Sequence, residues 1–274
     1  MAAEQRVAPA EVRAARHRKC FLDDGRAPVT DADAALLVEQ RGFLALGVLP
    51  RVWLPNLSGW DEGREWNVSW RAWRWKETLP AAKACAYLKW FYGQGTFISW
   101  RMYPFFYAIW GIRLHPEEAY HEGLLSRQEM DVLSVVAEFG PITSHDLWRK
   151  LKSRLGKRTA LISALARLQK VFLVTVSGGD LEGWSMHTWD VVTSYVPDGV
   201  LDHLPRPEEA ARNLVAQAVD NLVYCTTREI ASLFRWTSSC VAEVARDLAR
   251  TGRARLDARI EGYEDLFIAS PAAQ

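Results

Sequence analysis

Two six-residue stretches, 142-ITSHDL-147 and 225-CTTREI-230, decide how this chain is read. Each runs from an apolar residue through two hydroxyl residues to a basic or imidazole side chain, an acid and an aliphatic. Thr143 stands three residues before Asp146 and Thr226 three before Glu229, the spacing of a capping box at a helix start. Working outward, Met130, Val132, Leu133, Val135 and Val136 before the first stretch predict an amphipathic helix, which Gly140-Pro141 stops. Leu214, Val215, Ala218, Val219 and Leu222 predict the matching helix before the second. Downstream, 158-RTALISALARLQ-169 and 238-SSCVAEVARDLAR-250 predict a third helix in each unit, with Leu161, Ala164 and Leu168 in the places of Val241, Val244 and Leu248. The repeat offset is 83 residues at the caps and 80 here, so the second unit is three residues shorter in its turn.

After each third helix the period of the pattern changes from 3.6 to 2. The stretch 172-FLVTVSGGDLEGWSMHTWDVV-192 predicts a hairpin turning at Gly178-Gly179, and 254-ARLDARIEGYEDLFIA-269 a second turning near Gly262. Three helices followed by a hairpin is the winged helix-turn-helix order. The expected fold class is therefore mainly α with small β-hairpins (α+β), built on tandem winged helix-turn-helix units. The expected divisions are a basic arm over 1–29, a Trp-rich basic domain over 30–124 readable as a degenerate winged helix, and winged helices over 125–204 and 205–274. The arm rests on Arg13, Arg16, Arg18 and Lys19, for which a surface-packed helix is the alternative. Within 30–124, Thr30 caps a helix in 30-TDADAALLVEQRGFLAL-46, and a Pro-punctuated extended stretch follows. A basic helix is expected around Ala81 to Tyr92, then a turn at 93-GQGT-96 and a helix in which Pro104 lies in the first turn.

The chain carries 34 basic and 33 acidic residues, a net charge of only +1, yet the segment Arg64–Arg101 holds seven Lys or Arg against two acids, Glu65 and Glu77. Nine of the 13 tryptophans fall between Trp53 and Trp110. Packing requires most of them to be core. An exposed indole such as Trp75, among Arg71, Arg74, Lys76, Lys89 and Arg101, would instead let bases stack while the cations hold phosphates. The third helices offer two further polar faces: Arg158, Thr159, Ser163, Arg167 and Lys170 in one, Thr237, Ser238, Arg246, Arg250 and Arg253 in the other. In a winged helix this face enters the major groove. Double-stranded DNA is the expected partner.

Other chemistries are poorly supplied. Cys20, Cys85, Cys225 and Cys240 form no CxxC pair, giving neither a zinc pattern nor a disulfide framework, which fits a reducing cytoplasm. Glu118 and His121 in 115-HPEEAYHE-122 lie one helical turn apart with no third ligand, so no metal is expected, and GQGT lacks the lysine of a phosphate loop. No cofactor is expected either. There is no apolar run of membrane-spanning length and no apolar core of a secretory signal at the start.

The fragments 75-WKETLP-80, 87-YLKWFYGQGTFISWRMYPFFYAI-109, 125-LSRQEM-130, 140-GPITSHDL-147 and 189-WDVVTSYVP-197 together resemble the AlkZ-like winged-helix DNA glycosylases, over roughly residues 20–270. The resemblance implies tandem winged helices around a positive channel for duplex DNA and cleavage of the N-glycosidic bond of an alkylated or crosslinked purine. It also implies attack of water organised by a Gln-x-Gln or Gln-x-Asp pair in an early strand. No glutamine of this chain is followed two residues later by Gln or Asp. A carboxylate must then orient the water, and Asp61, Glu62 and Glu77 are the acids in the right region, with Glu77 first because it sits beside Lys76 and the tryptophans. The expected function is a monomeric repair glycosylase or lesion-binding relative. The alternatives are a non-enzymatic winged-helix regulator, for which no dimerisation heptad is visible, and a protein-interaction scaffold.

Overall fold

The computed structural model describes residues 6–58, 70–180 and 186–272. In chain order the elements are β1 (Arg6–Val7), α1 (Pro9–Arg18), α2 (Asp31–Arg41), β2 (Phe43–Ala45), α3 (Trp70–Ala81), β3 (Ala86–Lys89), β4 (Gly95–Ile98), α4 (Tyr103–Trp110) and α5 (Pro116–His121). There follow α6 (Arg127–Phe139), β5 (Ile142–Thr143), α7 (Ser144–Leu155), α8 (Arg158–Lys170), β6 (Val174–Gly179), β7 (His187–Val191) and α9 (Val192–Tyr195). The last are α10 (Pro207–Leu222), β8 (Tyr224–Cys225), α11 (Thr227–Phe234), α12 (Ser238–Arg250), β9 (Arg255–Ile260) and β10 (Phe267–Ala269). The fold is α+β, mainly helical with small sheets.

One pairing rule recurs. The short strand after a leading helix bonds to the last strand of the hairpin that follows: β5 to β7, β8 to β10 and, in the Trp-rich part, β2 to β4, all antiparallel. The leading helix, short strand, further helix and hairpin therefore occur three times among the described residues. Local chemistry starts the helices where the spacing predicts. Thr226 and Glu229 close a complete capping box on α11, as do Thr30 and Asp33 on α2 and Ser126 and Glu129 on α6. On α7 the Thr143 hydroxyl accepts the Asp146 N–H, but the Asp146 carboxylate turns to that hydroxyl at 2.9 Å instead of the backbone.

The first two hairpins join into a six-stranded sheet ordered β2-β4-β3-β6-β7-β5, bridged where Tyr87 faces Val176. Alternation along its strands feeds two cores. Leu44, Tyr87 and Phe97 face one core with α2, α3, α6, α7 and α8. Phe43, Ala86, Leu88 and Ile98 face the other with α4, α10, α11 and α12. This explains why no basic helix forms around Ala81–Tyr92: α3 stops at Ala81, and Ala86 to Leu88 are buried in a central strand. A short apolar run of that kind has the same periodicity signature in a strand and in a buried helix.

A further difference from expectation is a backbone matter. Gly178 and Gly179 do not form the hairpin turn; β6 runs through them as a bulge, with Gly179 still paired to His187. The second hairpin does turn at Gly262, whose φ of +78° suits glycine. Two of the amino-terminal bases, Arg16 and Lys19, are packed against the last unit, as the surface-packed helix alternative has it. β1 lies parallel to β9, and the Arg16 guanidinium donates to the carbonyls of Leu222 and Tyr224 while Lys19 pairs with Asp220 at 2.9 Å.

Candidate functional site

The phase of α3 sets the site. Ala72, Trp75, Lys76, Glu77 and Leu79 are buried, whereas Trp70 is 63% exposed and Arg71 and Arg74 face outward. Trp75 is thus a core residue, 2% exposed, its indole N–H donating to Asp31 at 3.0 Å, and it offers no face to a base. Lys76 is likewise withdrawn from any phosphate. Its ammonium lies 2.6 Å from the Glu77 carboxylate and 4.1 Å from the centre of the Trp73 ring.

Glu77 is 2% exposed and tolerates burial because cations and N–H donors surround it. Opposite Lys76, the His187 Nδ1 lies 3.2 Å from each carboxylate oxygen. The bulge in β6 makes this approach possible: a Cβ on Gly179 would collide with the Glu77 carboxylate, and one on Gly178 would come 3.2 Å from Ala81. His187 is held from behind. Ser144, at the start of α7, donates to the His187 carbonyl at 3.0 Å and accepts from the Trp189 indole at 2.8 Å. The imidazole sits between the rings of Tyr87 and Trp189, with centroids at 5.9 and 5.6 Å.

The electrostatics follow from burial. Desolvation pulls the Lys76 ammonium below the usual lysine range, against the Glu77 charge that opposes the shift. Burial first, and then the Glu77 charge, push the Tyr87 hydroxyl well above its ordinary value. A carboxylate only accepts hydrogen bonds, so Nδ1–H is the donor in this contact and Nε2 is the ring nitrogen turned away from Glu77. Nε2 makes no hydrogen bond among the described residues, and the His187 side chain is 18% exposed against 2% for Glu77. The arrangement is a buried carboxylate against a part-exposed imidazole.

The other expected site residues scatter. Asp61 and Glu62 lie outside the described residues. Lys89 and Arg101 are exposed, but Arg101 is committed to Glu39 at 3.3 Å and to Gln217. On α8, Arg158, Thr159, Ser163 and Arg167 are exposed along one side and Lys170 is half-buried. On and after α12, Ser238 and Arg246 are exposed, Thr237 caps the helix, Arg250 pairs with Asp247 at 2.9 Å and Arg253 donates to Asn213. Sequence reasoning missed His187: it lies 110 residues from Glu77, and only the pairing of the bulged hairpin with α3 brings the two together. No group of three metal-ligating side chains occurs among the described residues, and Glu118 and His121 on α5 both face outward.

The stretch in which the resemblance places a glutamine pair is apolar. All of β2 is buried, and Asn56 spends its amide on the Leu54 carbonyl and its oxygen on the Ser58 N–H. Residues 29–235 match the family described as AlkZ related. The fold is similar to that of the Streptomyces sahachiroi DNA glycosylase AlkZ, with a TM-score of 0.56 at 15% identity, over 97% of this chain and 70% of that one. No curated protein sequence matches.

Proposed function

The chain belongs to the AlkZ-related family, and from that premise we propose that it binds duplex DNA and hydrolyses the N-glycosidic bond of alkylated or crosslinked bases, with Glu77 and His187 in place of a glutamine pair. The observation that carries this reading is the carboxylate–imidazole pair at the base of the β6–β7 hairpin, ordered so that the buried acid orients the more exposed base. In the proposed step His187 Nε2 takes a proton from water as the water oxygen bonds to the sugar C1′. The C1′–N bond breaks, its electron pair leaving with the base. A cationic alkylated purine departs neutral, so no separate acid is required. Glu77 stabilises the imidazolium that forms, and a positioned base of this kind contributes roughly 10²–10⁴-fold.

DNA contact falls, in this reading, to the outward faces of α8 and α12 and to Arg71 and Arg74, within three winged-helix units over 30–124, 125–204 and 205–274 acting as a monomer. A specific observation favours a second reading, a lesion-binding protein without catalysis: the glutamine pair is missing from the whole chain. One assay separates the two. Purified protein is incubated with alkylated and crosslinked duplexes and abasic sites are scored, with duplex binding measured in parallel. We expect excision by the wild type, reduced by about 10²-fold or more in His187→Gln with binding retained. Binding without excision on every duplex would sink the enzymatic reading and leave the second.

A further inference from the structure

A second feature lies away from Glu77, where α8 meets α11. A hollow of about 440 Å³ opens there, within the roughly 300–1,000 Å³ of small-ligand sites. Its wall is aromatic and apolar, with Trp110 in ring contact with both Trp90 and Phe234 and stacked on Trp236 with centroids 5.7 Å apart. Its rim carries Arg167, Lys170 and Arg235 and no acid. Among the described residues no carboxylate pairs with any of the three. They also face one another: the Lys170 ammonium is held below the usual lysine range by burial first, then by the charges of Arg235 and Arg167.

Three like charges gathered on an apolar hollow repel each other, and an anion bound among them relieves that repulsion. Arg235 makes the cluster harder to dismiss as an accident of the surface. It ends α11 in the left-handed conformation, φ 58° and ψ 38°, a position that glycine normally occupies. An arginine stands where glycine would carry less backbone strain.

We propose that this hollow binds a single nucleotide, its base against the part-exposed Trp110 and its phosphate between Arg167, Lys170 and Arg235. Arginine fits phosphate by planar paired hydrogen bonds, and aromatic walls hold any base through its π face. The hollow continues the exposed side of α8 that begins at Arg158 and Thr159, so the nucleotide is either an unpaired residue at the end of a strand lying on that face or a free mononucleotide. The strand source rests on the DNA-binding reading above; the free source does not.

The test is titration of the full chain, followed by tryptophan fluorescence, with deoxyadenosine monophosphate, with a blunt hairpin duplex, and with the same duplex carrying one unpaired 3′ nucleotide. The overhang is expected to bind about 10-fold tighter than the blunt duplex, and Arg235→Gly to erase that difference and weaken the mononucleotide about 10-fold. Because glycine relieves the left-handed strain, this variant is expected to melt no lower than the wild type, which separates lost binding from lost fold. Mononucleotide binding that Arg235→Gly weakens, with no overhang advantage, supports the site and assigns it to free nucleotides, even if the blunt duplex fails to bind. No mononucleotide binding and no overhang advantage, or values that Arg235→Gly and Lys170→Met both leave unchanged, would overturn the proposal while leaving duplex binding to be judged separately.

Discussion

Lys76 and Glu77 enter the interior as adjacent residues of one helix, 4% and 2% exposed in their side chains, with their charged groups 2.6 Å apart. Glu77→Gln alone removes from the Lys76 ammonium the carboxylate 2.6 Å away. Breaking one side of a buried pair costs about 3–5 kcal/mol, whereas replacing both by neutral groups of similar shape is often close to neutral. The expected outcome in urea unfolding is a large loss for Glu77→Gln, most of it recovered when Lys76→Met is added. Equal stability of wild type and Glu77→Gln would show that the pair contributes nothing. The pH dependence has a definite sign. The folded value of Lys76 is depressed, so between it and the ordinary lysine value of about 10.4 the unfolded chain binds more protons. Stability therefore rises with pH across that window, and in Glu77→Gln the window extends further down. The double variant, rather than Glu77→Gln alone, is the fair background for asking what the Glu77 carboxylate does for His187.

At the scale of elements, the start of α2 carries the clearest titration. Asp33 accepts from the backbone N–H of Thr30, the Arg26 guanidinium and the Val29 N–H, which together hold its carboxyl far below the usual range. A depressed acid contributes stability that is complete above the unfolded value of about 3.9 and lost as the pH falls through the folded one. Asp33→Asn should remove that dependence, so that helical circular dichroism shows a lower stability at neutral pH and a flatter loss below about pH 4. A steep acid transition unchanged by the substitution would place the sensitivity elsewhere. The caps also show what was legible in the chain. Thr30, Thr143 and Thr226 announce their helices because a cap is satisfied by residues three positions away. Strand β3 was unreadable because Cys85–Leu88 is apolar whether it lies in a sheet or a helix. Gly178-Gly179 was misread because a Gly pair serves a turn and a bulge equally, and only Glu77 beneath it decides between them. Trp75 is buried and Trp70 exposed, which their shared aromatic character could not decide; Ala72 and Leu79, not the indoles, set which side of α3 turns inward. His187 has no local signature at all.

At the scale of the molecule, a net charge of +1 means that attraction to DNA must come from where the cations stand, not from their number. The structure narrows the expected set. Arg101 is tied to Glu39, Arg250 to Asp247, Arg16 and Lys19 to the last unit, and Lys76 to Glu77. Arg158, Arg167 and Arg246 stand exposed without a carboxylate partner among the described residues. Each phosphate neutralised releases counterions and contributes about −0.9 to the slope of log affinity against log salt. If the face of α8 lies on the duplex, Arg158→Gln with Arg167→Gln should reduce the magnitude of that slope by about 1.8, twice the single-contact value, and weaken all duplex sequences alike. Arg250→Gln should change it by clearly less than about 0.9, because Asp247 already neutralises that guanidinium. Fluorescence anisotropy of a labelled duplex across a salt series reads both quantities. A slope insensitive to the α8 pair but reduced by Arg246→Gln would move the DNA to the α12 face, and affinity undetectable even at low salt would remove DNA from the account of this fold altogether.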